Sequence, residues 1–430
     1  MLHSTVGFVR RHQRKFVVIA GIAGGLYYVG HALSNKINEM QRQAKEDHIS
    51  RENIKRRFEQ NQRDCLFTIL GLMPELTDQF FEKVNVDRLI EELRDMAKPV
   101  TPAADASFDN DENTPFYRPF QTPEKKQRTK AQIWEDIKLQ SFTRTTCSTY
   151  VLSLLTILVH TQLNVVGRYT YIDSVVTQFE GVVNSDDEEL PIPSNIGMDD
   201  QRHYLILSWW LLNRGWRILL HDIQDSIVES ISGLQLKKKI TFRELTRCFE
   251  QIRVKIEASG VLENLSKYLL PSNEAQMSEF MAINGLGPDQ VITPTFDQLV
   301  NQTRDILESN DARLVLNSCL NRIFEQLLAT LKENFPEPEP QPMPFTPLPD
   351  SKASSGPDGG LDLDKAVEEF EAFSVTPEPQ VVVAQLLPRI SRESNSILSS
   401  SQNFYLDELC TSREVQALAV SIYTAHGGKL

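Results

Sequence analysis

Residues 150–166 read YVLSLLTILVHTQLNVV, and where this stretch lies decides the fold. It is apolar nearly all round, so two placements compete: a span facing lipid, or a helix at the centre of a bundle. His160, Gln162 and Asn164 interrupt it. Neighbouring helices in a bundle offer such side chains hydrogen-bond partners, and hydrocarbon offers none. The stretch therefore reads as the central helix of an all-α fold, an elongated bundle of long helices around one apolar helix.

Helical periodicity extends on both sides. Leu245, Cys248, Phe249, Ile252 and Ile256 recur at intervals of three and four, as do Cys319, Ile323, Leu327 and Leu331. Leu205, Leu212, Leu219, Ile223 and Ile227 mark another helix, which carries Trp209, Trp210 and Trp216 and places at least two of them in the core. Three Thr-x-x-Glu/Gln pairs have the form of capping boxes: Thr241 with Glu244, Thr295 with Gln298, and Thr411 with Glu414. Gly427 and Gly428 suit a helix terminus. Strand alternation is hard to find. Prolines and acidic residues break the pattern at about 99–129, 181–200 and 334–385, which are expected to be loops or disordered insertions. Lys237, Lys238 and Lys239 read as a solvated helix end.

At the N-terminus, residues 16–33, FVVIAGIAGGLYYVGHAL, carry no formal charge. At 1.5 Å per residue the run spans roughly 27 Å, close to the hydrocarbon thickness. Arg10, Arg11, Arg14 and Lys15 precede it, and a charged stretch of helical character follows with no cleavage site of small residues between them. It is read as a transmembrane anchor, preceded by a basic segment at 1–15 and followed by a charged juxtamembrane helix at 34–60. Gly21 and Gly25 form one GxxxG, a spacing that glycine-rich membrane helices often contain by composition alone. Basic residues flank both ends, so charge asymmetry does not orient the span. The body, 61–430, is expected in the cytosol. Its sequons at Asn264 and Asn301 should then be unmodified.

Net charge is −13, unevenly distributed: residues 1–57 hold 11 Lys and Arg against 4 Asp and Glu, leaving −20 on the rest. An acidic body excludes a nucleic-acid partner, which needs a concentrated cationic face. Cys65, Cys147, Cys248, Cys319 and Cys410 stand far apart with no metal-ligand spacing and read as buried apolar residues in a reducing compartment. No phosphate-binding, dinucleotide, zinc-protease or nucleophile-elbow motif occurs. His160, His203, His221 and His426 are scattered, and Asp186 and Asp187 lie in a loop with nothing to raise a pKa. No enzyme, metal or cofactor is expected.

IWEDIKLQ (133–140) begins a helix after the first insertion, and Lys130, Trp134, Ile137, Lys138 and Ser141 share one face of it. Lysines beside an aromatic and an aliphatic suit a groove that accepts an amphipathic helix with acidic flanks. Internal packing of Trp134 against the preceding helix is the simpler alternative.

Six blocks, FEQNQRDC (58–65), IWEDIK (133–138), SFTRT (141–145), TQLNVVGRYTYID (161–173), NQTRDILES (301–309) and LNSCLNRIF (316–324), resemble the peroxin-3 family of peroxisomal biogenesis factors. The N-terminal layout is similar too, and the likeness fails only in the Pro-rich stretches. The resemblance implies a peroxisomal membrane protein with a short matrix-facing N-terminus, one span and a cytosolic helical domain. It implies docking of the import receptor peroxin-19 through that receptor's N-terminal amphipathic helix, in support of membrane-protein insertion. The tryptophan of the W-E-D motif lines the groove in that family, which assigns the role to Trp134. Matching outward adds Lys130, Ile133, Ile137 and Lys138, with Leu93 from RLIEELR. An alternative is a tether for inheritance or pexophagy adaptors, acting through the acidic surface.

Overall fold

The computed structural model describes residues 51–96, 128–180 (backbone alone for 175–180), 196–286, 293–336 and 378–425. The basic segment 1–15, the span 16–33, the juxtamembrane residues 34–50, most of the three insertions, His426 and the two terminal glycines lie outside them. The chain divides into two units, 1–61 and 62–430. In the first, residues 51–61 are helical.

The second unit is an all-α bundle, as expected. Helix α1 covers residues 62–83, where Cys65, Ile69, Met73, Leu76 and Phe80 face inward at helical spacing and are fully buried. There follow α2 (Val86–Asp95), α3 (Lys130–Glu180), α4 (Met198–Ile206), α5 (Ser208–Trp210), a π-helical turn (Leu211–Gly215) and α6 (Trp216–Ile231). Next come strand β1 (Lys239–Thr241), α7 (Phe242–Ala258), a 3-10 turn (Val261–Glu263), α8 (Leu265–Leu269), α9 (Glu274–Ile283), α10 (Pro294–Glu308) and α11 (Asn310–Lys332). Strand β2 (Gln380–Val382), α12 (Val383–Ile397), α13 (Phe404–Thr411) and α14 (Arg413–Thr424) complete the described chain.

The 150–166 stretch sits inside α3, and every side chain from Ser141 to Gln162 is buried. α3 is long and apolar enough to cross a membrane, but 89% of its most apolar window is covered by the protein itself. Helices α2, α6, α11, α12 and α14 pack along it. Two of the three polar residues find partners: Gln162 Nε2 donates to the Tyr204 carbonyl at 2.9 Å, and Asn164 accepts from Gln62 Nε2 at 3.0 Å, whereas neither His160 nitrogen has one. Trp210 and Trp216 are core residues, and Trp209 is half-buried.

Three local expectations are corrected. The Thr241–Glu244 capping box is present, with each backbone N–H bonded to the other residue's side chain. By contrast α10 is capped by Thr293, whose Oγ1 accepts from the Phe296 amide at 3.1 Å, not by Thr295. Pro294 occupies the first turn, where its preset φ and missing N–H suit the start of a helix, so initiation moves ahead of Thr295. Thr411 is still the last residue of α13, its hydroxyl bonded to the carbonyls of Asp407 and Glu408, and Ser412 caps α14 instead. Thirdly, the expected 334–385 insertion is shorter at its C-terminal end. Gln380–Val382 pair antiparallel with Lys239–Thr241, Val381 opposite Ile240, so Lys239 starts a strand and does not end a helix.

Close approach at the π-helical turn demands glycine. A Cβ on Gly215 would lie 1.8 Å from the Tyr268 carbonyl oxygen in α8, which is backbone and has no rotamer to change. Gly215→Ala is expected to lower stability by about 1–3 kcal/mol, read as a lower urea midpoint. Gly233→Ala, where nothing lies within 4 Å, should not. His160 gives a second test. Both ring nitrogens are buried without a hydrogen bond, and burial pushes the imidazole down to about 4 from the ordinary 6.5. Above pH 6.5 both folded and unfolded states are neutral. Between 6.5 and 4 the unfolded chain takes up a proton that the folded chain refuses, so stability falls with pH, by about 3 kcal/mol across the window. In His160→Leu the urea midpoint should fall less steeply over that range than in the parent chain, and parallel curves would contradict the assignment.

Candidate docking surface

The first turns of α3 carry the candidate site. Thr129 and Gln132 start the helix with a reciprocal cap: the Gln132 amide donates to Thr129 Oγ1 at 3.3 Å, and the Thr129 amide to Gln132 Oε1 at 2.9 Å. This T-x-x-Q was legible in the sequence and was missed. Lys130 is exposed, and Trp134 is half-buried, packed on the core by part of its ring. Leu93, half-buried on α2, packs on the same core. These three residues present surface.

Ile133, Ile137 and Lys138 do not. Ile133 is fully buried, Ile137 is 3% exposed and Lys138 4%, which corrects their expected place as groove lining. The isoleucines continue the core stripe toward the helix start. Lys138 is a clamp: its Nζ donates to the Leu234 carbonyl at 2.7 Å and pairs with Glu135 at 2.6 Å, tying α3 to the turn after α6. The shared face of Lys130, Trp134, Ile137, Lys138 and Ser141 thus runs from covered to open. It is buried from Ile137 onward and emerges at Trp134 and Lys130, where the covering neighbours end.

Arg144, inside the SFTRT block, fixes α2 against this region. Its guanidinium reaches Asp87 on α2 at 3.3 Å and Asn395 on α12 at 2.5 Å, and stacks over Phe81 at 4.0 Å. Burial lowers its pKa, and Asp87 opposes that shift. On the opposite face of α3, Asp136, Leu139, Gln140 and Thr143 line a cavity of about 390 Å³ with Leu220 and Gln224 of α6.

Chemistry has little footing here. Among the described residues no three His, Cys, Asp or Glu side chains converge on a metal position. All five cysteines are buried and unpaired, and burial raises every thiol, Cys248 to about 11 and Cys319 and Cys410 to about 12. A nucleophilic thiol needs the opposite shift. His203 is half-buried on α4 and His221 exposed on α6.

The sequence profile of the Peroxin-3 family matches residues 7–425. The chain belongs to the peroxin-3 family. Human peroxisomal biogenesis factor 3 is 26% identical over 434 residues, covering 99% of this chain and 98% of that protein. The Yarrowia lipolytica protein of the same name is 24% identical over 456 residues, covering 97% and 98%. A protein named peroxisomal membrane protein PEX3 from Komagataella phaffii is 29% identical over 279 residues, or 60% of this chain and 61% of that one. As a peroxin-3 the chain has a role in peroxisome biogenesis, at the peroxisomal membrane.

In this peroxin-3 the division between supporting and presenting residues is measurable. Ile133→Ala and Ile137→Ala are each expected to lower stability by about 2–5 kcal/mol, the range for emptying a packed aliphatic site. Trp134→Ala should cost less than either in urea unfolding. An equal or larger loss at Trp134 would show the indole to be a core residue.

Proposed function

We propose that this peroxin-3 is a single-pass docking factor. Residues 16–33 anchor it in the peroxisomal membrane with the N-terminus in the matrix, and the helical body faces the cytosol. The body binds the amphipathic N-terminal helix of the receptor peroxin-19 and so supports membrane-protein insertion. One observation carries this reading: the buried face of α3 reaches the surface at Trp134, whose ring is half-covered, beside the exposed Lys130. A half-covered indole on a fixed helix is a low-entropy anchor for a guest's apolar face, and an ammonium beside it suits acidic flanks. Leu93, on the helix held by Arg144, supplies further apolar surface.

The role asks for no catalytic group. Binding energy would come from the buried part of the guest helix, with Ile133, Ile137 and Lys138 holding the platform still beneath it. Trp134→Ala is expected to weaken receptor binding by at least about 2 kcal/mol, or roughly 30-fold, with the helical circular dichroism unchanged. Full-strength binding by a folded Trp134→Ala chain would reject this surface.

A further inference from the structure

Trp134 is not among the residues that line a second apolar surface. Between α7 and α11 there is a cavity of about 840 Å³, within the roughly 300–1,000 Å³ of pockets that enclose a compact apolar ligand. Phe242 and Phe335 form one wall, their rings 5.7 Å apart edge to face. Thr246 and Ala329 line it further, with Arg243 and Lys332 among the lining residues. Two carboxylates, Glu333 and Glu378, are there as well, and Arg243 pairs with Glu378 at 3.0 Å.

The position of this cavity identifies its occupant. Phe335 and Pro336 line it where the chain leaves for the third insertion, and Glu378 and Pro379 line it where the chain returns. The returning end is fixed, because Gln380–Val382 pair with β1 and the Val383 amide donates to the Lys238 carbonyl. Just before that point the sequence reads LDLDKAVEEFEAFSV (361–375). Leu363, Ala366, Val367, Phe370 and Phe373 fall on one face at helical spacing. Asp362, Asp364, Glu368, Glu369 and Glu371 stand against a single Lys365. Val375 is three residues from Glu378, so it lies within about 11 Å of the cavity rim however the link is extended.

We propose that the α7–α11 cavity is the docking site of the chain's own segment 361–375. The segment binds as an amphipathic helix, with Phe370 and Phe373 set beside Phe242 and Phe335 and its carboxylates toward Arg243 and Lys332. The short tether gives an effective concentration on the order of millimolar, so a weak contact suffices to hold it. This fixes the Pro-rich insertion to the body at both ends, and it stands independently of the Trp134 surface.

Hydrogen exchange on the full chain in detergent tests it. Amides of 363–373 should exchange at least about 10-fold more slowly than an unstructured chain. Phe370→Asp, within the segment, and Ala329→Arg, at an exposed helical position that lines the cavity, should each abolish that protection while α7 and α11 keep theirs. Trp134→Ala should leave it unchanged. Unstructured rates in the parent chain would overturn the proposal. So would protection that survives both substitutions, that is lost in Trp134→Ala, or that rises with protein concentration as docking into a second copy would.

Discussion

Burying α3 on every side is the constraint from which the rest of the structure follows. A helix in that position must answer for each hydroxyl, amide and guanidinium it carries, because an unpartnered polar group in the core costs about 1–3 kcal/mol. Much of the answer lies within the helix. Ser148, Ser153 and Thr156 donate to the carbonyls four residues back, and Thr149 to the carbonyl three back. These side chains therefore add bulk to the core without asking anything of the neighbouring helices. Those that cannot turn inward dictate where neighbours go. Thr145 donates to the Ile390 carbonyl of α12 at 2.6 Å, and Arg168 to the Ile422 carbonyl of α14 at 3.2 Å. Helices from the far end of the sequence are thereby pinned to the middle.

The satisfaction is incomplete. Ser141, Thr143, Thr146 and Thr161 hydroxyls, like both nitrogens of His160, are buried without partners. An apolar substitute at each would be cheaper for stability alone, and a neutral imidazole in the core makes the fold sensitive to acid. The residues cluster on α3, which Arg144 and Arg168 tie to neighbouring helices. Because those guanidiniums are themselves nearly covered, they act as fixed struts and not as surface charges.

Most of this architecture was legible because it follows from periodicity. The spacing of Cys319, Ile323, Leu327 and Leu331 names a buried face, and all four are buried. His160, Gln162 and Asn164 distinguished a core helix from a span, since only protein neighbours can answer Gln162. What failed was local competition. Thr295 and Thr411 satisfy the capping pattern as well as Thr241 does, but Pro294 and the tail of α13 take precedence, and a pattern that looks forward from one residue does not weigh what precedes it. The β1–β2 ribbon joins residues some 140 apart, and three-residue strands carry too little alternation to be read. At the candidate site the spacing puts Lys130, Trp134, Ile137 and Lys138 on one face of α3 but does not show how deep each lies. Periodicity gives the angle of Ile133, Ile137 and Lys138 around the axis; how far neighbouring helices cover them depends on contacts with α2 and the 234–238 turn.

That depth is what makes one end of α3 available. A stripe buried along its whole length stabilises the fold and nothing else. A stripe whose cover stops a turn early leaves its last aromatic half-solvated, and the uncovered part is apolar area that a guest can still remove from water. Moving Trp134 one turn further in would strengthen the bundle and close the surface. Moving it one turn out would detach the ring from the core, so that binding would first have to order it. Its present position, packed on the core by part of its ring and half-solvated, is what the proposed docking of a partner would use.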